Sequence, residues 1–193
     1  MGKTTGRNIG RISALDSSDR LRIWNSTDNS VDFRLNQPYI VDGLLISLIE
    51  YGNSSLTINF KKYKTTNNTI LVLCANSIIE ILELDEKRMV KAFFVPPSML
   101  VNQEVFSEYE LFFQLSKFPF FIVESEKMQE MIRFYEFVVD QQDTVTESCK
   151  KEFDKYLINA LSVKIKSIYR EIELLDNLPT KTNNEIVVDK FYK

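Results

Sequence analysis

The feature that most constrains this chain is a change of apolar period near residue 124. Before that point apolar residues alternate or run in short blocks; after it they recur every three or four positions. Side chains alternate across a strand and return to one helix face every 3.6 residues, so the first pattern calls for sheet and the second for helix. An α+β chain is therefore expected, with a β-portion at 21–124 and a helix pair at 125–175.

The β-portion consists of short runs separated by turn chemistry. Gly43 opens the apolar run Leu44–Ile49, and Leu56, Ile58 and Phe60 then alternate with Thr57, Asn59 and Lys61. Between them Tyr51-Gly52-Asn53-Ser54-Ser55 supplies turn residues, so these two runs are expected to pair as a hairpin. Thr69–Leu73, Ser77–Leu84 and Arg88–Val95 continue the series until Pro96-Pro97, where proline cannot supply a ladder N–H. Several short strands of this kind predict a sandwich or barrel. Phe118–Val123 reads as a last strand, and residues 98–117 between them show no clear period.

In the helical part, Ser125 is the expected N-cap of a helix with Met128, Met131, Ile132, Tyr135, Val138 and Val139 on one stripe. Thr144 and Glu147 have capping-box spacing for a second helix, which carries Phe153, Leu157, Leu161, Ile165, Ile168 and Ile172. Two such neighbours make an antiparallel helix pair. Val163 and Tyr169 lie off that row and widen its apolar face, so Leu157, Leu161, Ile165, Ile168 and Ile172 are the predicted seam of a homodimer.

Both ends are polar. Residues 1–20 read as a flexible tail; its Gly2-Lys3-Thr4 lacks the upstream glycine and the strand that a phosphate loop needs. Residues 176–193 read as a linker followed by the opening of another amphipathic helix at Glu185–Lys193, expected to continue in a longer protein.

Histidine is absent, which removes Ser-His-Asp and Cys-His nucleophile systems and the commonest nitrogen ligand for metals. No metal, cofactor or catalytic residue is expected. Net charge is −3 and no Lys/Arg cluster dominates, so these residues alone suit duplex phosphates poorly. Cys74 and Cys149 stand far apart without a CxxC motif, and no run is long enough to span a membrane. The expectation is a cytoplasmic protein without a membrane partner.

The wording of several segments carries a family likeness. Leu35-Asn36-Gln37-Pro38-Tyr39, then Gly43 and its apolar strand, and Leu56-Thr57-Ile58-Asn59-Phe60-Lys61-Lys62-Tyr63 follow one another in order. Asn76-Ser77-Ile78-Ile79-Glu80-Ile81 and Ile168-Tyr169-Arg170 add to it. From about Asp32 to Lys193 the chain resembles the sensor half of AraC-family transcriptional regulators, especially the compact ones of Bacteroidetes. The resemblance implies a cupin-like jelly-roll barrel that holds a small organic effector, then a dimerising helix pair. DNA would be read only by a helix-turn-helix domain beyond the linker. Metal-binding cupins place histidine on their strands where this chain has Ile78 and Ile79, so the resemblance points to a non-enzyme. Tyr39, Ser47 and Glu80, isolated polar residues among apolar strand neighbours, are the candidate effector contacts. The alternative is a free-standing non-metal cupin enzyme or small-molecule-binding protein.

Overall fold

The computed structural model describes residues 9–12, 20–26, 33–100, 115, 118–142 and 144–176. The polar residues 1–8, most of 98–117, and the linker and helix opening at 177–193 lie outside the described residues.

The strands are β1 Gly10–Ile12, β2 Arg22–Asn25, β3 Pro38–Val41, β4 Leu44–Tyr51, β5 Ser54–Ile58, β6 Lys61–Thr65, β7 Thr69–Leu73, β8 Ile78–Leu84, β9 Met89–Val95 and β10 Phe120–Ile122. The helices are a single turn α1 Pro97–Leu100, then α2 Ser125–Gln142 and α3 Glu147–Asp176. Five strands form an outer sheet in the order β1-β3-β8-β5-β6, and five form a middle sheet in the order β10-β7-β4-β9-β2. The outer sheet packs on one face of the middle sheet, and α2 and α3 pack on the other. No strand is shared, so the two sheets do not close into one continuous barrel.

The middle sheet is buried on both faces, and β4 shows why. Leu44, Ile46 and Leu48 point towards the helices, whereas Leu45 and its inward neighbours face the outer sheet. An apolar run without polar alternation is what a strand covered on both sides requires. This overturns the expected hairpin of 44–49 with 56–60. β4 pairs with β7 and β9, while β5 pairs with β6 and β8 in the other sheet. Gly52, at φ 100°, carries the chain from one sheet to the other, a conformation that β-carbons disfavour. Gly43 is needed for a different reason: a β-carbon there would run into the Val95 carbonyl and the Phe94 ring.

The alternation read through Phe60 also ends earlier. Asn59 and Phe60 have φ of 48° and 69°, forming the two-residue turn of the β5–β6 hairpin, and Phe60 is 85% exposed. Both central residues at positive φ is the geometry that matches strand twist. The exposed Lys61, Lys62 and Lys64 lie on β6, an edge strand, where lysines discourage pairing with another chain.

The N-terminal stretch is not wholly a tail. Gly10–Ile12 pairs in parallel with β3, and Ile12 is buried. The expected capping box also takes another form: Thr144 Oγ1 donates to the Gln141 carbonyl at 3.0 Å, closing the end of α2 instead of opening α3. Among the described residues, no helix is long and apolar enough to cross a membrane.

Candidate functional site

Registers across the middle sheet explain where space opens. One inward-facing row runs Trp24, Ala92, Ser47, Leu71, Phe120 across strands β2, β9, β4, β7 and β10. Large side chains stand at its ends and two small ones meet in the middle. The outer sheet lays Leu56, Ile79 and Ile81 over this notch, and a cavity of about 130 Å³ remains between the sheets. Much of its lining is apolar, with Ile12, Trp24, Phe33, Leu45, Leu71 and Ile79 among it. At one end the lining turns polar, with Asn25, Ser26, Ser54 and Arg88 half-buried there.

That polar end is stitched together by loops. Ser26 Oγ donates to the Arg88 carbonyl at 3.1 Å and accepts from the Val90 N–H at 3.2 Å, fastening β2 to β9. The Gly52 N–H donates to Asn67 Oδ1 at 2.9 Å, and Asn53 donates from its backbone and its amide to Asp85 Oδ2. Ser54 and Thr65 join hydroxyls across the β5–β6 hairpin.

Ser47 differs from these. It is 8% exposed, it lines the cavity, and its hydroxyl has no hydrogen-bond partner among the described residues. Buried hydroxyls are normally paired, since leaving one unpaired costs about 1–3 kcal/mol.

The three residues predicted as effector contacts are not brought together. Ser47 is in the cavity wall. Tyr39 is buried behind it: its hydroxyl accepts from the Arg34 N–H at 2.8 Å and its ring meets Phe33 edge-on at 5.4 Å. Glu80 sits between Ile79 and Ile81, which line the cavity, and so belongs to the opposite face of β8. Trp24, Phe33, Ala92 and Arg88 were not singled out from the sequence. Finding Ala92 beside Ser47 needs the β4–β9 register, which no single strand carries.

The predicted dimer row is placed differently from its expectation. Leu157, Leu161, Ile165 and Ile168 are 0–6% exposed within the one chain, packed in the layer between α2, α3 and the middle sheet. Ile172 is half-buried at the edge of the same layer. Among the described residues of α3, the large apolar side chains left exposed are Tyr156 and Val163.

A second polar feature ties the cavity wall to the helices. Asp154 on α3 is fully buried and takes a two-pronged contact from Arg20, Nε to Oδ2 at 2.7 Å and Nη2 to Oδ1 at 3.0 Å. The Leu21 N–H adds a third bond at 3.2 Å, and Gln142 Nε2 at the end of α2 donates to the Leu21 carbonyl at 3.2 Å. Pairing with Asp154 holds the Arg20 guanidinium above its ordinary range. A carboxylate in the sequence row Asp154, Leu157, Ile158, Leu161 was a legible signal, because such a group on an apolar stripe requires a partner. Elsewhere, burial pushes the Cys74 thiol up to about 11, far from a reactive thiolate. Among the described residues no three of His, Cys, Asp or Glu gather as metal ligands.

No protein-family model matches the chain, and no curated protein does. Loose likenesses exist among solved structures. Apo ToxT from Vibrio cholerae superposes with a TM-score of 0.41 at 11% identity, covering 78% of this chain and 56% of that one. The AraC-like transcriptional activator CuxR gives 0.39 at 9%, covering 72% and 54%. ToxT bound to (E)-4-(8-methylnaphthalen-1-yl)but-3-enoic acid gives 0.39 at 13%, covering 78% and 57%. The chain thus spans little more than half the length of each. Likenesses this loose decide neither its fold nor its function.

Proposed function

We propose that this chain is the regulatory half of an AraC-type transcriptional regulator: a cytoplasmic, non-enzymatic module that senses a small organic effector. Residues 21–124 would be the sensor, 125–175 the dimerising pair, and 176–193 the passage to a DNA-reading domain. The observation that carries the reading is the cavity together with its wiring. Strand β2 lines the cavity through Trp24 and Asn25, and the residues just before it are bonded to both helices through Asp154 and Gln142. A ligand that favours one position of β2 would bias how the helix pair is held, which is the differential contact a population shift requires. The strand order supports a jelly-roll winding, since the chain changes sheets at β3–β4, β4–β5, β6–β7, β7–β8 and β8–β9. The segments Leu35–Tyr39 and Leu56–Tyr63 supply the family resemblance.

A homodimer built by this module would use the face of α3 that carries Tyr156 and Val163, because the Leu157–Ile168 row is occupied within the chain. Replacing both exposed residues with Glu should convert a dimer to monomers in sedimentation without loss of fold. Function is tested by promoter-duplex retardation. The full-length protein should bind specifically, more weakly as salt rises, whereas residues 1–193 should not. Specific binding by residues 1–193 alone would end the proposed division of labour.

A further inference from the structure

The inter-sheet cavity has a shape and a chemistry that narrow its occupant, and the narrowing rests on the sensor reading given above. At about 130 Å³ it is close to the size of an engineered cavity of roughly 150 Å³, lined by aliphatic and aromatic side chains, that takes up benzene. One six-membered ring with a small substituent fills such a space; a bicyclic body does not. Leu45, Leu71 and Ile79 present carbon to the occupant, and Trp24 adds its indole ring with one N–H donor. Ser47 adds a hydroxyl that is more than nine-tenths buried and has no hydrogen-bond partner among the described residues. Among the described residues of the lining the one charged side chain is Arg88, which stands at the half-buried polar end and donates towards the Asp85 carbonyl there. A carboxylate at the depth of Ser47 would be desolvated with one hydroxyl to answer it, a poor exchange. A polyhydroxylated sugar would leave most of its hydroxyls against carbon.

We infer that the cavity takes a neutral, ring-sized molecule bearing a single hydroxyl or carbonyl, with Ser47 Oγ as its hydrogen-bond partner. The notch that Ser47 shares with Ala92 accommodates the ring, and the polar end around Ser26, Ser54 and Arg88 is the way in. Ser47 both donates and accepts, so phenols and small cyclic ketones both satisfy it.

The test uses residues 1–193 with four probes, phenol, toluene, benzoate and a pentose, read by thermal shift and titration calorimetry. Phenol should raise the melting temperature in proportion to its concentration and bind about tenfold more tightly than toluene. In Ser47→Ala that preference should vanish while toluene binding is kept. Ser47→Val and Ala92→Leu should each exclude phenol and toluene. Equal binding of phenol and toluene to the unaltered protein, or a preference that survives Ser47→Ala, overturns the role of Ser47. Benzoate or pentose binding with phenol silent overturns the ligand class and leaves the sensor reading standing. Silence from all four also overturns the inference. The sensor reading is judged separately, by whether Ala92→Leu alters regulation by the full-length protein.

Discussion

The two faces of the middle sheet come from the same strands, one residue out of step, and they are filled differently. Towards the helices, Leu44, Ile46, Leu48, Ile70, Val72 and Phe93 are large and almost wholly buried, with Phe93 edge-on to Tyr135 at 5.4 Å. Towards the outer sheet, Leu45 and Leu71 are large, but Ala92 and Ser47 interrupt them. Interiors normally approach crystal density, so two adjacent small side chains leave a gap unless the opposing layer advances into it. The outer sheet does not advance into the notch, and the cavity remains. One face therefore carries the stability of the fold, and the other keeps space within it.

The hardest test of that division is on α3. Leu161 is fully buried beneath the helix pair, so Leu161→Ala should cost about 2–5 kcal/mol in urea unfolding. Leu161→Glu should cost more, because it also buries an unpaired carboxylate, and the variant should fail to fold. A folded, monomeric Leu161→Glu would return this row to the dimer seam predicted from its spacing and break the comparison.

Next in size is the bond between the cavity wall and the helices. In Arg20→Met the fully buried Asp154 keeps, among the described residues, the backbone N–H of Leu21 alone, and about 3–5 kcal/mol should be lost. Asp154→Asn should cost less, since Arg20 is 25% exposed and water can take over its contacts. If the two substitutions cost the same, the pair is more open to water than its burial indicates, and β2 is not firmly held.

A smaller effect distinguishes the two faces directly. Ile46→Ala on the helix side should fall within the usual range of about 2–5 kcal/mol, while Leu71→Ala beside the cavity should fall at its lower end. A side chain that already borders empty space has fewer contacts to lose. Equal costs would show that the cavity collapses in solution.

How much of this was legible follows from which interactions are local. Helix stripes and strand runs are local patterns, so α2, α3 and most strands were readable, as was the stop at Pro96-Pro97. The partner of a strand is not local. The run Leu44–Ile49 looked like half of a hairpin because turn residues follow it, yet a strand apolar on both faces belongs in the middle of a covered sheet. The same gap explains the site. Ser47 stood out as a polar residue among apolar neighbours, whereas Ala92 gained meaning only from its register beside Ser47. Glu80 and Tyr39 had the same local signature as Ser47, yet strand alternation puts Glu80 on the far face of β8, and Tyr39 is held by the Phe33 ring and the Arg34 N–H. The row on α3 was read correctly as apolar, but apolar periodicity cannot say whether its cover is the same chain or a second one.

The smallest predicted effect concerns a single hydroxyl on each side of the middle sheet. Ser162, on α3, is 1% exposed and donates to the Ile158 carbonyl at 2.7 Å, a back-bond within its own helix. Ser47 is comparably buried and has no such bond among the described residues. Removing a satisfied hydroxyl forfeits a hydrogen bond, whereas removing an unsatisfied one relieves a desolvation cost. Ser162→Ala should therefore be neutral or destabilising by up to about 1 kcal/mol, and Ser47→Ala stabilising by about 1 kcal/mol in ligand-free protein. The opposite signs matter more than the sizes, because both are near the resolution of urea unfolding. Saturating the protein with phenol should reverse the order at position 47, making the unaltered protein the more stable of the two. A Ser47→Ala variant less stable than the parent without any ligand would mean that the hydroxyl already has a partner, such as an ordered water. The cavity would then be a hydrated polar site and not a dry one with a single open bond.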